Sequence, residues 1–117
     1  MLRIKYEDAV KTMERKLIAH GVGAERARLV AETAASISLD GIYSHGINRF
    51  KRLILSIDSG ICDPLATPSC TAAFGGFERW DGNHGIGIVN AMACTDRAIT
   101  LARTHGVACV SLRNTNH

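Results

Sequence analysis

The densest run of chemically versatile side chains is Tyr43-Ser44-His45-Gly46-Ile47-Asn48-Arg49-Phe50. His45 and Arg49 stand four residues apart. A helix beginning at Ser44 would set imidazole and guanidinium side by side on one face, with Ile47, Phe50 and Ile54 turned toward a core. Such a pair suits 2-oxo acids, because a guanidinium grips a carboxylate through two parallel hydrogen bonds while an imidazole exchanges a proton with the adjacent carbonyl or hydroxyl oxygen. Ser44 fits the N-cap of that helix, its hydroxyl accepting from an unpaired amide of the first turn. Gly46 would leave the backbone open to a ligand. The same spacing also fits a histidine and an arginine on a solvated helix face.

His117 ends the run Asn114-Thr115-Asn116-His117 just past the carboxyl end of a predicted strand, where open α/β sheets place ligand-binding groups. The plainer alternative is a terminal residue without a fixed position. His20 and His105 fall at predicted helix ends, where they would cap carbonyls, and His84 falls in a glycine-rich turn. The cysteines Cys62, Cys70, Cys94 and Cys109 are spaced by 8, 24 and 15 residues, which is neither a C-x-x-C zinc pattern nor a dense secreted framework. They read as reduced, mostly buried thiols, and no metal is expected.

The stretch Gly82-Asn83-His84-Gly85-Ile86-Gly87 lies between a predicted strand and helix, as a dinucleotide fingerprint would. Its order is not G-x-G-x-x-G, and the acidic residue expected about 20 positions further on is replaced by His105 and Gly106. A tight strand-to-helix connection is the better account.

Composition narrows the class. The 117 residues are 46% hydrophobic and 21% charged, as in an ordinary globular chain. A net charge of +3 arises from 14 basic and 11 acidic residues mixed along the sequence, so no nucleic-acid partner is expected. The N-terminus lacks the apolar core of a signal peptide, and no apolar run approaches the ~20 residues that span a membrane. No membrane association is expected, and the cytoplasm is the expected compartment.

These residues need elements to hold them. Apolar spacing predicts helices from Tyr6 to about His20, from about Ala24 to Leu39, and from about Ser44 to Ile57 with Gly60 as its stop. Residues 1–63 thus form a helical N-terminal subdomain. Beyond Pro64 and Pro68 the pattern predicts strands at Cys70–Phe74 and Phe77–Trp80, a helix from about Ile88 to His105, and a buried strand at Val107–Leu112. Residues 64–117 read as the beginning of an α/β domain. One helix covers only one face of such a sheet, so further chain is expected downstream.

Taken together, Tyr43-Ser44-His45-Gly46-Ile47-Asn48-Arg49-Phe50, Trp80-Asp81-Gly82, Asp96-Arg97-Ala98-Ile99, His105-Gly106-Val107 and Arg113-Asn114-Thr115-Asn116-His117 resemble the type-2 malate/L-lactate dehydrogenase family across essentially the whole chain. The resemblance implies a non-Rossmann α/β fold and a dimeric oxidoreductase about three times this length. The implied reaction reduces a small 2-oxo acid, of the malate, lactate or 2,3-diketo-L-gulonate kind, with NAD or NADP, NADH being favoured. By the same resemblance His45 matches a proton donor of the reductase branch and His117 an acid/base residue of the ureidoglycolate branch. Arg49 matches a substrate-carboxylate contact, and Ser44 lines the same pocket. The family's main cofactor-binding segments lie after the Asn-x-Asn-His motif, so no cofactor residue is assigned, and the fragment alone is expected to be inactive. The alternative is a truncated, non-catalytic remnant or a small helical interaction module.

Overall fold

Four apolar residues at helical spacing, Tyr6, Val10, Met13 and Leu17, organise the first element. In the computed structural model, which describes residues 2–116, they lie along α1 (Tyr6–Ala19), with Val10, Met13 and Leu17 buried and Glu7 and Asp8 in the first turn. Gly21, at φ +92°, ends the helix in a conformation that other residues rarely adopt. Helix α2 (Ala24–Leu39) buries Ala27, Val30, Ala31, Ala34 and Ala35. Small side chains on that face let the two helices approach closely. Ala9, Val10 and Met13 pack there with Ala31, Ala34 and Ala35, flanked by Tyr6, Ile47 and Phe50.

Polar contacts fix the register of this pair. Tyr6 shares a 3.1 Å hydrogen bond with the Ser36 hydroxyl. Arg28 donates through Nε to Glu32 at 2.5 Å and lies 3.5 Å from Glu14 and 3.7 Å from Glu7. Helix α3 spans Phe50–Asp58 and buries Ile54. It starts six residues later than the spacing predicts, after a 3-10 turn at Ile47–Arg49. The reason is Gly46, whose φ of −96° and ψ of −131° cannot continue a helix. These elements belong to one compact unit, ending at Leu65, and a second begins at Ala66.

The second unit is α/β. Strand β1 (Ser69–Phe74) pairs antiparallel with β2 (Phe77–Asp81) across Gly75-Gly76, with Phe74 opposite Phe77 and an irregularity between Cys70 and Ala72. Gly75 adopts φ +55° in the turn. Helix α4 (Gly87–His105) follows, ended by Gly106 at φ +82°. Strand β3 (Cys109–Arg113) then returns parallel to β2, giving the order β1-β2-β3.

Two expectations of burial change here. Val107 is 73% exposed, and along β3 only Val110 and Leu112 are even half-buried. Within this unit a single helix faces the sheet, so alternate side chains of β3 point to solvent and all six residues of β1 are exposed. For the same reason Cys70 and Cys109 are exposed, whereas Cys62 and Cys94 are buried; all four thiols are free. No helix of the described residues is long and apolar enough to cross a membrane.

Candidate active-site loops

Ser44, His45 and Arg49 come together, though not on a helix face. Residues 43–46 form a turn and Arg49 ends the 3-10 segment, so helical spacing does not join the imidazole to the guanidinium. Ser44 does. Its Oγ lies 2.8 Å from His45 Nδ1, and its backbone carbonyl accepts from Arg49 Nε at 2.9 Å. All three residues are exposed, and among the described residues Arg49 has no carboxylate partner. The result is an anchored imidazole and an anchored cation presented from one loop.

Ser44 is therefore not the predicted N-cap. Ser38, the penultimate residue of α2, supplies the hydroxyl that accepts from Ile47 N–H at 2.8 Å. Gly46 is buried, and a Cβ there would collide with Ser38 Oγ and stand 2.9 Å from Ser38 N and 3.0 Å from the Ala34 carbonyl. The glycine serves close packing of the loop against α2, not the approach of a ligand.

In the second unit, the segment leading to His117 is held by interlocked loops. Gly82 N–H donates to the Arg113 carbonyl at 2.7 Å, His84 N–H to the Asn114 carbonyl at 2.8 Å, and Asn116 N–H to the Gly85 carbonyl at 3.1 Å. Asp81 closes the set. Its carboxylate accepts from Asn83 N–H at 2.8 Å, from Asn114 Nδ2 at 2.9 Å and from Arg113 Nε at 3.2 Å. The Asn83 amide, then Asn114 and Arg113, hold the Asp81 carboxyl below the usual carboxylate range. His117 itself lies outside the described residues.

A second buried anchor ties α4 to the sheet. The Glu78 side chain, 5% exposed, accepts from Arg97 Nη2 at 2.6 Å, from Arg97 Nε at 3.0 Å and from Trp80 Nε1 at 2.7 Å. Arg97 first, and Trp80 second, hold its carboxyl below the ordinary range. Asn90, fully buried in the first turn of α4, donates through Nδ2 to the Gly82 carbonyl at 3.0 Å and to Thr115 Oγ1 at 2.8 Å.

Sequence reasoning passed over Asn90 and the role of Asp81. A signal for Asn90 was present: it shares the helical stripe of Cys94 and Leu101, where a polar residue is out of place. His20 does not cap a carbonyl with its side chain; Nδ1 lies 2.5 Å from Asp58 Oδ1. His84 is exposed with φ +59°.

The glycine-rich loop does not fit a dinucleotide pyrophosphate. A Cβ at Gly82 would stand 2.6 Å from Asn90 Nδ2 and 2.9 Å from the Asn114 carbonyl, and one at Gly85 would stand 3.1 Å from the Gly82 carbonyl. Both glycines make room for the protein's own loops. Burial pushes the thiols of Cys62 and Cys94 up, which suits packing and not nucleophilic work. No cluster of three potential metal ligands occurs among the described residues.

Known proteins resemble this chain in sequence and fold. The 2,3-diketo-L-gulonate reductase of Citrobacter koseri is 41% identical over 116 residues, covering 99% of this chain and 35% of the relative. Crystallised malate dehydrogenase from Entamoeba histolytica superposes with a TM-score of 0.91 at 32% identity, over 99% of this chain and 32% of that one. Sulfolactate dehydrogenase from Methanocaldococcus jannaschii gives 0.94 at 30% identity, over 99% and 34%. This chain thus spans about a third of the length of the relatives it matches. Residues 4–117 match the malate/L-lactate dehydrogenase family, and the chain belongs to that family.

Proposed function

We propose that this chain carries the proton-exchanging and substrate-anchoring groups of an oxidoreductase that converts a small 2-oxo acid to the 2-hydroxy acid. The observation that supports it most is the double use of Ser44, whose hydroxyl meets the His45 ring and whose carbonyl holds Arg49 Nε. Arg49 binds the substrate carboxylate, and the planar fork of its guanidinium sets the orientation of the 2-oxo group. His45 delivers the proton that turns the carbonyl oxygen into a hydroxyl, with His117 the other candidate for that proton. Ser44 lines the pocket and sets the ring of His45.

The reaction also needs a hydride, which a bound nicotinamide, NAD or NADP with NADH favoured, supplies to the carbonyl carbon. No described residue is assigned to hold it. We read residues 1–63 as a helical subdomain and 64–117 as the start of the α/β domain of a longer enzyme. We place it in the cytoplasm, a setting that four free thiols suit, and read the longer enzyme as a homodimer. The substrate is of the 2,3-diketo-L-gulonate kind, in keeping with the name of the Citrobacter koseri relative.

A chimera tests this reading. This chain replaces the matching 116 residues of that reductase, and NADH oxidation with 2,3-diketo-L-gulonate is followed. Turnover that collapses on His45→Ala or His117→Ala is expected. A folded chimera without turnover on any 2-oxo acid would reject the proposal.

A further inference from the structure

Asn90 is an odd choice for its place. It is fully buried on the inner face of α4, and its Oδ1 has no hydrogen-bond partner among the described residues. Its orientation is not arbitrary, because Nδ2 must face the Gly82 carbonyl, to which only a donor can bond. A residue chosen for stability alone would be apolar here, and would leave no buried acceptor unpaired. The amide instead bridges two loops that are distant in sequence, taking the Gly82 carbonyl from one and the Thr115 hydroxyl from the other.

Backbone strain gathers at the same place. Among the described residues the non-glycine positions with left-handed backbone are Asn83 at φ +51°, His84 at +59° and Asn114 at +49°. All three belong to these loops. Conformations of this kind cost stability, persist only where the surroundings impose them, and concentrate at functional sites. Here the imposition is visible: three backbone hydrogen bonds and the Asp81 carboxylate clamp one loop to the other.

We propose that Asn90 is a positioning residue, whose amide locks the Asn114-Thr115-Asn116 turn to the Gly82-Asn83-His84 loop and so sets the segment that leads into His117. The inference rests on the proposed acid/base role of that segment. It concerns no residue that touches substrate directly. Thr115 is the second half of the device, since its hydroxyl is the group that Asn90 holds.

The test uses the whole chain and mass spectrometry, which follows deuterium uptake at backbone amides and at the C2 position of each imidazole. Thr115→Val removes the tie while keeping the side chain's shape; Asn90→Ala removes both ties. In each variant, amide exchange across residues 82–86 and 114–116 is expected to quicken by about tenfold, while Cys94 to Leu101 in α4 keep wild-type rates. Imidazole exchange at His84, whose backbone N–H bonds the Asn114 carbonyl, should change by about twofold or more, with His20 and His45 unchanged. Wild-type loop rates in both variants would overturn the proposal. Equal acceleration throughout α4 and the sheet in Thr115→Val would also overturn it, by making the contact one of general stability. So would a loosened loop with an unaltered His84. Failure of the catalytic reading is seen separately, in turnover by the chimera.

Discussion

The Nε–H of Arg49 donates to the backbone carbonyl of Ser44 at 2.9 Å, so the guanidinium is aimed by the same residue whose hydroxyl meets His45. A lysine at position 49 has neither the Nε donor nor the planar fork. In the chimera, Arg49→Lys should raise KM for 2,3-diketo-L-gulonate by roughly 10- to 100-fold, the equivalent of losing a charged hydrogen bond worth about 1.5–3 kcal/mol. NADH affinity should stay within about twofold, well under the tenfold that 1.4 kcal/mol represents. An unchanged KM would remove Arg49 from the carboxylate site.

His45→Ala should lower kcat by about 10²- to 10⁴-fold, the usual contribution of a placed acid or base. His117→Ala is the companion measurement, because two histidines are eligible for one proton. If His117→Ala abolishes turnover while His45→Ala leaves kcat near the parent value, the proton donor is His117 and His45 becomes a pocket residue.

Acid should weaken the second unit at a defined place. Arg97 and then Trp80 depress the Glu78 carboxyl, so the folded state binds its proton less readily than the unfolded chain does. The corresponding stability is present above the unfolded value, near pH 4.3, and is lost as pH falls through the lower folded value. Glu78→Gln should therefore lower the melting temperature more at pH 7 than at about pH 2.5. Equal destabilisation at both pH values would show that the carboxylate's charge contributes nothing.

Much of the scaffold was legible because its periodicity is strong. The Ala24–Leu39 helix and the Gly75-Gly76 hairpin were found where alanine spacing and turn residues placed them. The start of α3 was not. The residues that delay it, Gly46 and Ser38, act across a contact between α2 and the loop, eight positions apart in sequence. Spacing also made neighbours of His45 and Arg49 for the wrong reason, since Ser44 and not a helical turn connects them. Asn90 and the clamping role of Asp81 escaped notice because partners that define them lie 25 and 33 residues away, at Thr115 and Asn114.

The hairpin should make the isolated chain self-associate. Phe74 and Phe77 are 85% and 62% exposed, they oppose one another across β1 and β2, and an apolar strand edge is a template for pairing. Light scattering is expected to show mass growing with concentration, and Phe74→Lys should suppress it. A monomer at all concentrations for the unsubstituted chain would contradict this.

The seat of Gly46 against α2 has a consequence for anyone reshaping the pocket. With Ser38 and the Ala34 carbonyl occupying the space where a side chain would go, the height of the loop is set by its contact with α2. If the Ser44–Arg49 loop holds substrate as proposed, its height is adjustable from behind through Ser38, whose hydroxyl also accepts from Ile47 N–H, whereas any side chain at position 46 would have to displace the loop or α2. Variation is better spent on Tyr43 and Asn48, which are exposed.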